Sequence, residues 1–314
     1  MAVHSYPLTV GRINRFKGEI LKHATPVEIL ARQGRQIRMP KNVSDTYVAR
    51  KFIPYGATAT NGNTQNRFFQ DANGDRVTAI TTAHLTQEGV TPNPDSLIPV
   101  DTPVVIQQYS CLYGYTDKTA DVYEDDIPAQ MKIQIGERAA FVNEMIVYGQ
   151  LKAATNQYYG GAGTTIATTN GKLTLNLLRK IAVNLVANHG RSVKKILKAS
   201  SDFGTAPVFE AFCVYVPSNM EPDVRDLANF TPVEAYGSGT GMPYEIGKCE
   251  RFRFMVHPDL PELQNAGAAI GGTGLKSTSG TLIDVYQFIV LGEDAFSQVA
   301  LRGGDAMKPS VVPT

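Results

Sequence analysis

The residues best suited by type to do chemistry are scattered along this sequence, so their spacing has to decide each case. Gly271 to Ser277 reads GGTGLKS and holds the glycines, lysine and serine of a phosphate-cradling loop. Such a loop needs its last glycine next to its lysine, so that the ammonium reaches the phosphates, and here Leu275 separates Gly274 from Lys276. Gly237 to Gly241, GSGTG, would make an anion nest only between a strand and a helix, a setting that its flanks do not predict. Both stretches read as loops. The histidines His4, His23, His84, His189 and His257 form no HExxH or paired-ligand spacing, and Cys111, Cys213 and Cys249 form no CxxC. Asp71, Asn73 and Asp75 have the opening spacing of a calcium loop but lack its glycine and terminal glutamate. Glu124, Asp125 and Asp126 could supply acid–base chemistry, yet three adjacent carboxylates before a helix serve its dipole. No GxSxG nucleophile motif occurs. The sequence therefore predicts neither an enzyme nor a bound cofactor, and its polar loops read as contact surfaces for other proteins.

The element that must position everything else is a long helix from Asp126 to Tyr159. Met131, Ile135, Ala139, Val142, Ile146 and Ala153 recur there at three-, four- and seven-residue steps. Pro128 falls in the first turn, where no backbone bond is lost, and Gly160 and Gly161 supply the stop. At ~1.5 Å per residue such a helix would span about 50 Å, more than one compact domain needs. Glu137, Arg138, Asn143, Glu144, Gln150 and Lys152 interrupt its apolar runs and exclude a membrane span. Gly136 and Gly149 leave room for a bend or for close approach of another chain.

With 314 residues and 43% hydrophobic content the chain can bury a substantial core, and its size favours more than one lobe. The net charge of +1 is unevenly placed: Met1 to Lys51 holds ten Lys/Arg against three Asp/Glu, a balance of +7 that leaves −6 for the rest. That basic segment suits an acidic neighbour or a polyanion. The opening MAVHSYPLTV has no basic region followed by an apolar core, which predicts folding in a reducing cytoplasm without a signal peptide.

Residues 1–43 look extended, apart from a short helical candidate at Pro26 to Gln33 ended by Gly34. From Ser44 to Gly114 the pattern becomes a long β-excursion. Its arms are Thr46 to Pro54 and Thr102 to Gln108, and its tip turns tightly at DANGDR, Asp71 to Arg76. A second helix is expected from Thr174 to His189, ended by Gly190, with the basic stretch Arg191 to Lys198 as a polar connector. Strands are predicted at Ala211 to Val216, Cys249 to Val256 and Thr281 to Leu291, with a short helix at Met220 to Leu227 and no clear element after Gly292.

In this order of parts the chain resembles the major capsid protein of tailed bacteriophages, the Johnson fold shared with herpesvirus shells and encapsulins. Four stretches carry the likeness to the branch named after the coat protein of the podophage N-four: EILKHATPVEILARQGRQIRMPKN (Glu19 to Asn42), LTQEGVTPNP (Leu85 to Pro94), QQYSCLYGYTDKTADVYEDD (Gln107 to Asp126) and FTPVEAYGSGTGMPYEIGKCERFRFMV (Phe230 to Val256). The resemblance implies an α+β chain divided into an N-terminal arm (1–43), an extended loop (44–115), a spine helix with the peripheral domain (116–164), an axial domain (165–285) and a return to the peripheral domain (286–314). It further implies a structural protein that associates with itself as hexameric and pentameric capsomers and builds an icosahedral shell around double-stranded DNA. Portal, scaffold and decoration proteins would be its other partners, and no membrane is involved. Its place would be the virion capsid, after synthesis and assembly in the bacterial host cytoplasm. Contacts between copies are expected at Arg32, Arg35 and Arg38 of the arm, at Asn61, Asp71, Asn73, Gly74 and Arg76 of the loop, and at Glu124 and Arg138 of the spine. An encapsulin-like compartment shell and a tail or decoration protein are the alternatives on the same fold.

Overall fold

A computed structural model of the chain describes residues 28–39, 44–52, 81–82, 84–91, 96–114, 116, 126–197, 205–236, 241–271, 275 and 277–301. These divide into two units. One joins the described residues of 1–42, 107–179 and 192–314, and the other those of 43–106 and 180–191.

The first unit is organised on a sheet. Strands β4 (Val193–Leu197), β5 (Thr205–Pro217), β6 (Phe230–Pro232), β7 (Glu245–Cys249), β8 (Phe252–His257) and β9 (Ile289–Leu291) form it in the order β4-β5-β8-β7-β6, with β9 also on β5. The centre is the parallel pair β5–β8, from Phe212 beside Phe252 to Pro217 beside His257. Ala211 to Val216 are all buried, as expected for a strand covered on both faces, and this near-continuous apolar run is where the sequence predicts it. The predicted strand from Cys249 to Val256 is instead two strands of a hairpin. Glu250 turns the chain with φ +53°, and Arg179 holds its carboxylate through Nε at 2.9 Å and Nη2 at 2.6 Å. Glu-Arg lacks the Asn-Gly signature of a tight turn, so the break is hidden in the sequence. The stretch Arg191 to Lys198, expected as a connector, contains β4, whose partner is the first half of β5.

Thr281 to Leu291 forms a strand only at its end, as β9. Upstream, the chain bridges to the 263–270 loop instead, because the Asp284 carboxylate accepts Asn265 N–H and Thr278 N–H, each at 2.7 Å, and Thr278 Oγ1–H at 2.6 Å. A short helix α3 (Glu221–Arg225) follows β5 close to its expected place, and Lys172 Nζ reaches Asp223 at its start at 2.6 Å.

The spine helix α1 (Ile127–Leu151) begins as expected, with the Asp126 carboxylate accepting Ala129 N–H and proline in the first turn. It ends at Leu151, short of Tyr159, so its 25 residues span about 38 Å. Past Leu151 the amides of Ala153 and Ala154 reach back only three residues, and residues 152–158 are exposed, so no packing sustains another turn. The buried face also differs from the expected one. Gly136, Ala140, Glu144, Val147 and Tyr148 are buried, whereas Met131, Ile135, Ala139, Val142 and Ile146 are only partly covered. Gly136, Ala140 and Glu144 lie at the centre of the true seam, which an apolar count passes over.

Against that seam lies the entry segment. The helical candidate Pro26 to Gln33 reduces, within the described residues, to one 3-10 turn at Ala31–Gln33, which Gly34 closes. Strand β1 (Arg35–Met39) then pairs in parallel with β10 (Ser297–Leu301), an element absent from the sequence reading. Ile29, Leu30 and Ala31 join Val147, Tyr148, Tyr215, Met255 and Leu291 in one core, with Phe296 packed against it.

The second unit holds an antiparallel ribbon, β2 (Thr46–Phe52) with β3 (Pro99–Val105), whose second arm starts and ends three residues before the predicted Thr102 to Gln108; the last two residues of the predicted first arm, 53 and 54, lie outside the described residues. Helix α2 (Leu175–Ala187) is shared between the units and lies inside the predicted Thr174 to His189. His189 adopts φ +56° there, while its amide bonds to Val186 O and that of Gly190 to Leu185 O. This is a Schellman stop in which histidine takes the left-handed position and glycine the one after it.

Candidate functional site

The candidate surfaces come from the ribbon and the spine, and a buried polar node fixes the entry segment. On the ribbon the side chains alternate between faces. Val48, Arg50 and Phe52 share one face with Pro99, Asp101, Pro103 and Val105 across the register, and all seven are exposed. Val48 is 51%, Phe52 53% and Val105 58% accessible, so about half of each apolar side chain still meets water. In the middle, Arg50 grips Asp101 with Nε at 2.8 Å and Nη2 at 2.9 Å, which raises the guanidinium and lowers the carboxyl through that hydrogen bond. On the opposite face Tyr47, Ala49 and Val100 are half-buried, while Lys51, Thr102 and Val104 are exposed. A two-stranded ribbon is marginal in water, and one that leaves two valines and a phenylalanine of one face half in solvent is shaped to be covered.

The spine exposes a second apolar patch. Phe141 and Tyr113 flank Gln134, Glu137 and Arg138 around an open depression, and the Arg138 guanidinium lies 5.8 Å from the centre of the Tyr113 ring. Tyr109 and Leu112, nearby in sequence, are also exposed.

The node sits on the buried seam of α1. Glu144 is fully buried and accepts four hydrogen bonds: Oε1 from Ile29 N–H at 3.3 Å, Leu30 N–H at 2.5 Å and His257 Nε2 at 2.6 Å, and Oε2 from Ala31 N–H at 2.9 Å. His257, also fully buried, accepts Asp259 N–H on Nδ1 at 3.0 Å, which leaves Nε2 to carry the hydrogen that faces Glu144. Burial works to raise the Glu144 carboxyl, but the His257 bond and the amides of Ala31 and Leu30 outweigh it and hold the group below its ordinary value. A buried ion pair links β7 to β8. Glu245 accepts Tyr236 O–H and Met242 N–H, each at 2.6 Å, and lies 3.5 Å from Arg253. Cys213 is inert as a nucleophile, since burial pushes its thiol up to about 12.

Of the residues expected to contact other copies, Arg32 lies exposed on the 3-10 turn, Arg35 and Arg38 are exposed on β1, and Arg138 is exposed on α1. The structure puts the first three on one short segment. Asn61, Asp71, Asn73, Gly74, Arg76 and Glu124 lie outside the described residues, as does the predicted turn at the loop tip. Of GSGTG only Gly241 is described, and of GGTGLKS only Gly271, Leu275 and Ser277. Among the described residues no group of three or more His, Cys, Asp or Glu could hold a metal ion, and no helix is long and apolar enough to cross a membrane. Sequence reasoning missed both Glu144 and His257, which are 113 positions apart. The available signal was a glutamate on the same helix stripe as Gly136 and Ala140, where small residues imply close packing.

No family model matches the chain. It is similar to the major capsid protein of Pseudomonas phage KPP21, with 22% identity over 214 residues, 63% of this chain. The match spans about half of that relative, 53% of its length. Among solved structures it is similar to a chain of the asymmetric unit of the bacteriophage PhiM1 mature capsid, with a TM-score of 0.44, 10% identity and 88% of each chain covered.

Proposed function

We propose that this chain is the major capsid protein of a tailed bacteriophage, a structural and non-catalytic subunit in the Johnson fold and in the branch of the podophage N-four coat protein. Copies join through the ribbon and the basic entry segment into hexameric and pentameric capsomers, and these close into an icosahedral shell around double-stranded DNA. The arm, extended loop, spine, peripheral and axial parts are assigned as the resemblance implies. Portal, scaffold and decoration proteins complete the assembly, which takes place in the host cytoplasm.

The observation that carries this reading is the ribbon face of Val48, Phe52 and Val105 around the Arg50–Asp101 pair. A monomeric protein gains nothing from half-exposed valines and phenylalanine on a marginal ribbon, while a subunit repeated many times gains a directional contact from it. The similarity to the phage KPP21 protein supports the same class. Electron microscopy and sedimentation of the full chain expressed alone, beside particles from infected lysate, test it. Shells or ring-shaped capsomers are expected, with nucleic acid inside the lysate particles. A stable monomer in both preparations refutes the reading, and shells filled with a protein cargo assign the chain to a compartment instead.

A further inference from the structure

The hydrogen-bond pattern around Glu144 suits a carboxylate. Among the described residues, every group that meets its two oxygens is a donor: three backbone amides and His257 Nε2–H. The remaining nitrogen of the ring meets a fourth amide, Asp259 N–H. A proton on either Glu144 oxygen competes for lone pairs with an amide of the entry turn or the imidazole and removes the charge that strengthens those bonds. We propose that the Glu144–His257 node is an acid-sensitive latch, in which a proton gained by the Glu144 carboxylate weakens its hold on the backbone amides and frees the 29–31 turn from the spine helix.

The latch governs a segment of consequence. The turn leads through Gly34 directly into β1, which presents Arg35 and Arg38, so its release changes how the basic entry segment leaves the body. The other titratable groups around the pair are Tyr215 and Cys213 on β5, Tyr148 on α1, Glu28 at the head of the turn, and Asp259 after β8. Arg253, farther along β8, is paired with Glu245. Tyr148 donates to Gln287 at 2.7 Å and burial raises Tyr215, so both stay neutral in acid and leave the carboxylate as the proton-accepting member. The inference concerns one subunit and does not rest on the assembly reading.

Amide hydrogen exchange of the full chain, corrected for intrinsic rate and followed by mass spectrometry from about pH 7.5 to about pH 3.5, tests the latch. Protection of the 29–31 amides is expected to fall at least about tenfold relative to that of 213–216 on β5, as the loss of a charge-assisted bond implies. Glu144→Gln, whose amide group puts a donor where the carboxylate had only acceptors, is expected to show the same loss already at neutral pH. A constant ratio between the two segments across the wild-type titration overturns the proposal, as does loss of both segments together. Glu144→Gln that folds with wild-type protection of 29–31 overturns it independently.

Discussion

Replacing Val48, Phe52 and Val105 together by serine tests the ribbon as a contact between copies. Fully burying a Val or Phe side chain is worth about 1.5–3 kcal/mol, and each of these three is about half accessible at 51%, 53% and 58%. The covering partner therefore gains roughly 1 kcal/mol from each, or about 3 kcal/mol per contact, which corresponds to about a hundredfold in affinity. Because the side chains are already half in water and their face carries no core, the folded subunit loses little. The assay is the protein concentration at which light scattering and electron microscopy first detect closed particles, set beside the urea midpoint of the subunit. An assembly threshold raised by about two orders of magnitude, with the midpoint almost unmoved, is expected. Lys51→Gln, on the opposite face of the same strand, is the control and should leave the threshold in place. An unchanged threshold for the triple variant would sink the argument, and so would a subunit that no longer folds, since the face would then belong to a core.

Two further perturbations probe the body of the subunit. A Cβ added at Gly34 would overlap the Phe296 ring, so Gly34→Ala should destabilise by about 1–3 kcal/mol in urea unfolding, and adding Phe296→Leu should recover most of it. Wild-type stability of the single variant refutes the close approach. The hydrogen bonds of Thr278 and Asn265 hold the Asp284 carboxyl below its ordinary value, and Glu144 is lowered as described. The stability that both supply is complete above their unfolded values, about 3.9 and 4.3, and is lost as pH falls through the lower folded ones. The urea midpoint should therefore hold from neutral pH to about 5 and drop below about 4, with a shallower drop in Asp284→Asn. A midpoint that falls already between neutral pH and about 5 contradicts this sign.

What the sequence reveals is what repeats or runs along it. The spine helix, α2 and the buried run Ala211 to Val216 announce themselves by period or by continuous hydrophobicity, and Asp126 with Pro128 marks one boundary within a residue. Elements that exist only through a distant partner stay hidden. Strand β10 is SQVAL, five unremarkable residues until β1 lies beside them, and the hydrogen bonds of 281–285 go to a loop that no local pattern points to. The seam of α1 is hidden for another reason: its centre is a charged residue whose burial is made tolerable by four donors from other segments. The ribbon was legible as an excursion, but which of its faces is uncovered depends on the pairing of Val48 with Pro103, a register that alternation alone leaves open.

The pairing of β1 with β10 also sets a clock on synthesis. Arg35 and its partner Ser297 are separated by 262 positions, and a ribosome adds roughly 5–20 residues each second, so β1 waits on the order of 15–50 s for its partner strand. The anchor of the entry turn is delayed in the same way, because His257 also emerges long after Glu144. A nascent chain thus cannot complete the junction that carries Arg35 and Arg38 until translation is nearly through all the described residues.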